Sequence, residues 1–117
     1  MDDRAVKPED YLSEIDRWSL LVHRMRVAKM PLWAMEELVR AFEHGVKKHG
    51  AGDYVMRYVG DEFEPLAKAH RHIDACMYDL DGAEFVRWDA LDKESYVAHM
   101  AKAAANLLIG LEVAHGA

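Results

Sequence analysis

A single cysteine, Cys76, stands in the 117-residue chain. It can close no internal disulfide and build no thiolate zinc site, and its lone presence points to a reducing compartment, the cytoplasm. No apolar run approaches the roughly 20 residues that cross a bilayer. The opening Met1-Asp2-Asp3-Arg4 is acidic rather than a basic leader, so neither membrane insertion nor export is expected. Positive charge is short as well: 15 Lys and Arg against 21 Asp and Glu give a net charge of −6. That deficit disfavours a binder of long nucleic acid, which relies on excess Lys and Arg, while leaving a local basic patch open. Breakers are few, with three prolines and seven glycines against a hydrophobic content of 51%, so one packed domain is expected.

Helical periodicity fills the space between those breakers. From Glu9 to Met30, Tyr11, Ile15, Trp18, Val22 and Met25 recur at steps of four and three, with Pro8 suited to a first turn and Pro31 ending the segment. A second helix opens at Pro31 and carries Leu32, Met35, Leu38, Val39, Phe42 and Val46 on one face, opposite Glu36, Glu37, Arg40 and Glu43, until Gly50-Ala51-Gly52. A third starts near Asp61 as N-cap and presents Phe63, Leu66, His70, Ile73, Met77 and Leu80 before Asp81-Gly82. A fourth starts at Asp92 to Ser95 and uses Val97, Met100, Ala104, Leu107, Leu108 and Leu111, with Gly116 past its end. Only residues 54–59 offer a short strand pattern. The expected fold is all-α, an antiparallel bundle of about four helices. Trp18, Trp33 and Trp88 exceed what a minimal bundle needs, which favours a homo-oligomer, dimer or tetramer.

The last helix has a second, polar face: Ser95, His99, Lys102, Ala103, Asn106 and Gly110 follow at helical steps. Asp92 and Glu94 precede it, so a cation or polar ligand can be held between carboxylate and imidazole. Helix capping plus a tight crossing over small residues accounts for the same pattern. On the third helix His70 lies on the apolar stripe and reads as a hydrogen-bonded core histidine, while His72 is the better candidate for chemistry. Arg71 offers a fork of donors to phosphate or carboxylate, or an ordinary surface ion pair. Glu36 and Glu37 pair carboxylates, but magnesium needs several converging oxygens and Arg40 stands where a third would be, so they read as an exposed face. Lys47, Lys48 and His49 beside Gly50 and Gly52 suit either a helix C-terminus or a phosphate-contacting loop, without a Walker pattern. No Gly-x-Ser-x-Gly elbow and no His-Glu-x-x-His motif occurs, which argues against a nucleophilic hydrolase or a zinc protease.

From about Met30 to Leu111 these residues together resemble a family of small helical domains in virus-encoded proteins, the dATP/dGTP diphosphohydrolase N-terminal domain. That family is similar to the all-α nucleoside triphosphate pyrophosphohydrolases. Its pattern is a helix-opening proline, Gly-x-x-Lys-Tyr-Gly-x-x-Asn-Trp, Arg-His-Leu, Asp-x-Glu-Ser and His-x-x-His-Ala-x-x-Asn. The chain supplies Pro31; Gly45, Lys48, Gly50, Asp53 and Tyr54; Arg71-His72-Ile73; Asp92, Glu94 and Ser95; and His99, Ala103 and Asn106. It departs at His49 for tyrosine, Asp53-Tyr54 for Asn-Trp, Tyr96 where glycine follows the serine, Lys102 for the second histidine, and a longer loop between Gly82 and Asp92. Residues 1–29 fall outside the resemblance.

The resemblance implies a metal-dependent hydrolase of (deoxy)nucleoside triphosphates using Mg²⁺ or Mn²⁺. Under it His72, Glu94 and His99 are catalytic, and Asp92, Glu94 and His99 hold the metal. Lys48, Arg71, Ser95, Lys102 and Asn106 bind the nucleotide, Asn106 orienting base or ribose. Because a lysine can neutralise phosphate without metal, Lys102 also suits a non-catalytic binder that sequesters a nucleotide. A helical interaction module, its polar stripe serving only as a helix crossing, is the third reading.

Overall fold

The computed structural model describes residues 12–58, 60–78, 82 and 86–116. Pro8, Glu9, Tyr11, Leu80 and Asp81, used above to bound helices or fill stripes, lie outside them. Four helices of 14 to 18 residues are present, α1 Glu14–Val27, α2 Leu32–His49, α4 Phe63–Met77 and α5 His99–His115, with a short α3, Asp53–Arg57. No strand occurs among the described residues; an isolated antiparallel bridge joins Leu91 and Ala98. The chain divides into two compact units, Met1–Leu32 and Trp33–Ala117.

In the first unit, α1 starts where Ser13 Oγ accepts a hydrogen bond from Asp16 N at 3.2 Å, satisfying one orphan donor of the first turn. It stops where Lys29 turns left-handed, φ 55°. Lys29 N then donates to Arg26 O and Met30 N to Met25 O, each at 3.1 Å, the two bonds of a Schellman ending just ahead of Pro31.

In the second unit, α2 ends as its sequence indicates: Lys47, Lys48 and His49 complement the C-terminal dipole and Gly50 adopts φ 95°. Residues 54–59 are the one stretch with a strand pattern, but 54–57 belong to α3, Asp53–Arg57, in which Arg57 Nε reaches back to Asp53 Oδ2 at 3.4 Å, one helical turn away; Val59 lies outside the described residues. Asp61 Oδ1 accepts from Glu64 N at 3.2 Å and so caps α4 at the expected place.

Two faces are rotated from expectation. In α4 the buried residues are Pro65, Ala69 and Cys76, whereas Phe63 and Leu66 are exposed and so is His70, which is therefore not a core histidine. The reason is close packing against α5: small residues meet there, a Cβ at Gly110 lying 3.5 Å from Pro65 Cβ, and Ala69 of α4 and Ala103 of α5 are buried. In α2, Glu37 is 5% exposed rather than on a solvated face. Its Oε1 takes Arg40 Nη1 at 3.0 Å and its Oε2 takes Ala98 N at 3.4 Å, so the carboxylate sits at the positive N-terminal end of α5; Glu36 is exposed as expected. Around it Ala41, Val97 and Ala105 form a small core with Leu38, Phe42 and Ala101.

The start of α5 is also corrected. Asp92 to Ala98 form a tight turn rather than helix, because Tyr96 takes a left-handed φ of 58° and its N–H returns to Asp92 O at 2.7 Å. The helix begins at His99.

Candidate functional site

The turn before α5 exists to hold one carboxylate. Asp92 Oδ2 accepts from Ser95 N at 3.1 Å and Ser95 Oγ at 2.9 Å, a side-chain-closed turn, and from Lys102 Nζ at 2.9 Å. Lys102 lies one turn into α5 and also reaches Ser95 Oγ at 3.3 Å. The side chains of Lys102 and Asp92 are 15% and 17% exposed, so this is a largely desolvated pair. Burial alone would raise the Asp92 pKa. The hydrogen bonds from Lys102 and Ser95 and the lysine charge outweigh it and hold the carboxyl well below the usual carboxylate range.

Beside this pair two imidazoles meet. His72 of α4 and His99 of α5 face each other through Nδ1 at 2.8 Å, with ring centroids 5.1 Å apart. One Nδ1 must donate and the other accept, so the contact holds a single proton. Burial first, then the cations of Lys102 and its neighbours, pushes the His72 pKa down and favours the neutral ring. Glu94, on the exposed side, bonds Lys48 Nζ of α2 at 2.9 Å, and that lysine holds its carboxyl low. His44 Nε2, a buried ring nitrogen, lies 3.5 Å from the same Glu94 oxygen, too long for a good hydrogen bond. Asn106 Nδ2 donates to Lys102 O at 2.8 Å.

These groups surround one open cleft of about 270 Å³ between α2, α3, α4 and α5. Of the residues singled out from sequence, Lys48, Arg71, His72, Asp92, Glu94, Lys102 and Asn106 line it, while Ser95 and His99 stand behind Asp92 and His72. Sequence reasoning passed over four further lining residues: His44, Arg57, Tyr58 and Lys68. Tyr58 is 3% exposed, with the Arg57 guanidinium 4.8 Å from its ring centre and Lys68 Nζ bonded to its hydroxyl. The spacing held a signal: Lys68, Arg71 and His72 share a face of α4, and His44 and Lys48 are one turn apart on α2.

The lining carries five cations, Lys48, Arg57, Lys68, Arg71 and Lys102, against two acids, in a chain that is acidic as a whole. Such a concentration of donors is chemically suited to an anion with several oxygens. The donor set for a resident metal is different. Asp92 is turned to Lys102, Glu94 to Lys48 and His99 to His72, and no group of three His, Cys, Asp or Glu side chains converges as metal ligands among the described residues. Cys76 is fully buried and burial pushes its thiol pKa up, which leaves it inert as a nucleophile.

Fold and cleft together define a helical domain with a basic, imidazole-lined cleft. Residues 17–116 match the family described as dATP/dGTP diphosphohydrolase, N-terminal, and the chain belongs to that family. No curated protein and no solved structure matches it. Among the described residues, no helix is long and apolar enough to cross a membrane.

Proposed function

We propose that the cleft takes the phosphates of a (deoxy)nucleoside triphosphate and that the chain is a nucleotide hydrolase of its family's kind, dATP and dGTP being the first substrates to try. The observation that carries this reading is the excess of cations over acids around the cleft. Lys48, Arg57, Lys68 and Arg71 hold phosphate oxygens, Arg71 by its fork of donors. Asn106 orients base or sugar. A neutral His72, paired with His99, takes a proton from the attacking water, and Glu94, kept ionised by Lys48, lies at the mouth to orient that water. A divalent ion, Mg²⁺ or Mn²⁺, would supply charge neutralisation and a more acidic water. The carboxylates as placed do not form its cage, and it is assigned no step.

We also propose a homo-oligomer. Trp18, Trp33 and Trp88 are 60%, 61% and 71% exposed, and α1 buries none of its residues, so apolar surface is left for a second copy. Sedimentation of the full chain measures this directly.

Incubating the protein with each deoxynucleotide and Mg²⁺ or Mn²⁺, followed by ³¹P spectroscopy, tests the hydrolase. Release of the monophosphate from dATP or dGTP is the expected result. Binding without any product at high protein concentration contradicts turnover and selects the sequestering binder, a reading that Lys102 supports.

A further inference from the structure

We propose that the central cation of this cleft is the Lys102 ammonium, and that the chain binds polyphosphate without a divalent ion held by Asp92, Glu94 or His99. The inference rests on the polyphosphate reading above and departs from the metal dependence that the resemblance implies. In each group that would hold a metal, one donor atom has a partner already. Asp92 Oδ2 receives Lys102 Nζ and both donors of Ser95, Glu94 Oε1 receives Lys48, and His99 Nδ1 is taken by His72. Lys102 follows His99 by three residues and so emerges on the same face of α5, where its four-carbon stem carries a charge to the carboxylate.

A divalent ion entering here would have to displace an ammonium from a largely desolvated carboxylate and then sit among five cations. Magnesium also sheds water reluctantly and prefers converging oxygen ligands, of which the structure supplies no set. The lysine, in contrast, is covalently delivered, already desolvated and held in place by two acceptors, Asp92 and Ser95. One end of an incoming phosphate chain can then share its ammonium, which has three protons to give.

Two measurements on the full chain test this. In calorimetry with tripolyphosphate and with dGTP, the wild-type affinity in chelator is expected to equal that in Mg²⁺. Lys102→Gln is expected to lower it about tenfold, and Lys102→Arg to retain it, with circular dichroism confirming that both variants are folded. In manganese titrations followed by electron paramagnetic resonance, wild type is expected to take up no ion without nucleotide, and Lys102→His to gain a site. Uptake of one Mn²⁺ by wild type, or binding of tripolyphosphate only when metal is present, overturns the inference and leaves the polyphosphate reading standing. Failure of both ligands to bind with and without metal overturns the two together.

Discussion

Tyr96 holds a left-handed backbone, φ 58°, and is 75% exposed. The conformation costs a residue with a Cβ about 1 kcal/mol, of which the added freedom of a glycine in the unfolded chain returns roughly half. Tyr96→Gly is therefore expected to stabilise the protein by about 0.5 kcal/mol, a rise of roughly 2–4 °C in thermal midpoint. The neighbouring Asp92 makes a pH-dependent contribution of defined sign. Its pKa is lower folded than unfolded, so the stabilisation is complete above the unfolded value and is lost as pH falls below about 4 towards the folded one. Asp92→Asn is expected to cost about 2 kcal/mol at neutral pH by stranding Lys102. Urea midpoints from pH 7 to pH 3 should fall for wild type and stay flatter for the variant.

Helix positions were legible in the sequence, because prolines, glycines and apolar periods place both ends of α2 and the start of α4 within a residue or two, while α4 ends at Met77, short of the Leu80 that the apolar period includes. Which side of each helix turns inward was less so. Periodicity points to the large side chains Phe63, Leu66 and Leu111, yet these are exposed, and where α4 meets α5 at Pro65 and Gly110 small residues let the axes approach. Residue size at a crossing is a property of two helices at once, and one stripe cannot display it. Glu37 was misread for the same reason: its partner, the N–H of Ala98, comes from 61 residues away. The beginning of α5 was missed because the Asp92 turn imitates a capped helix start, and only the φ of Tyr96 separates the two. The close crossing still leaves slack at one point. A methyl on Gly110 would meet Pro65 Cβ at an ordinary 3.5 Å, so Gly110→Ala should gain up to about 1 kcal/mol of helix propensity. Gly110→Leu should destabilise by overpacking, and thermal melts of the two variants will show opposite shifts.

Across the whole molecule, charge is divided unevenly. The acidic surplus argued against long nucleic acid, while the fold gathers five cations from α2, α3, α4 and α5 around one cleft, on which the proposal of phosphate binding rests. The motif residues Lys48, Arg71, His72, Asp92, Glu94, Lys102 and Asn106 could be found along the chain, each at a readable spacing. Lys68 and His44 were overlooked although they share helix faces with Arg71 and Lys48, whereas Arg57 and Tyr58 carried no such signal, since only the packing of the chain around α3 brings them to that cleft. Phosphate recognition by the cleft is the central claim, and a calorimetric series of deoxyguanosine, dGMP and dGTP tests it most directly. Affinity should rise with each phosphate, dGTP exceeding deoxyguanosine by about 100-fold or more and weakening as salt is added. Equal affinities along the series, or none for dGTP, would contradict it.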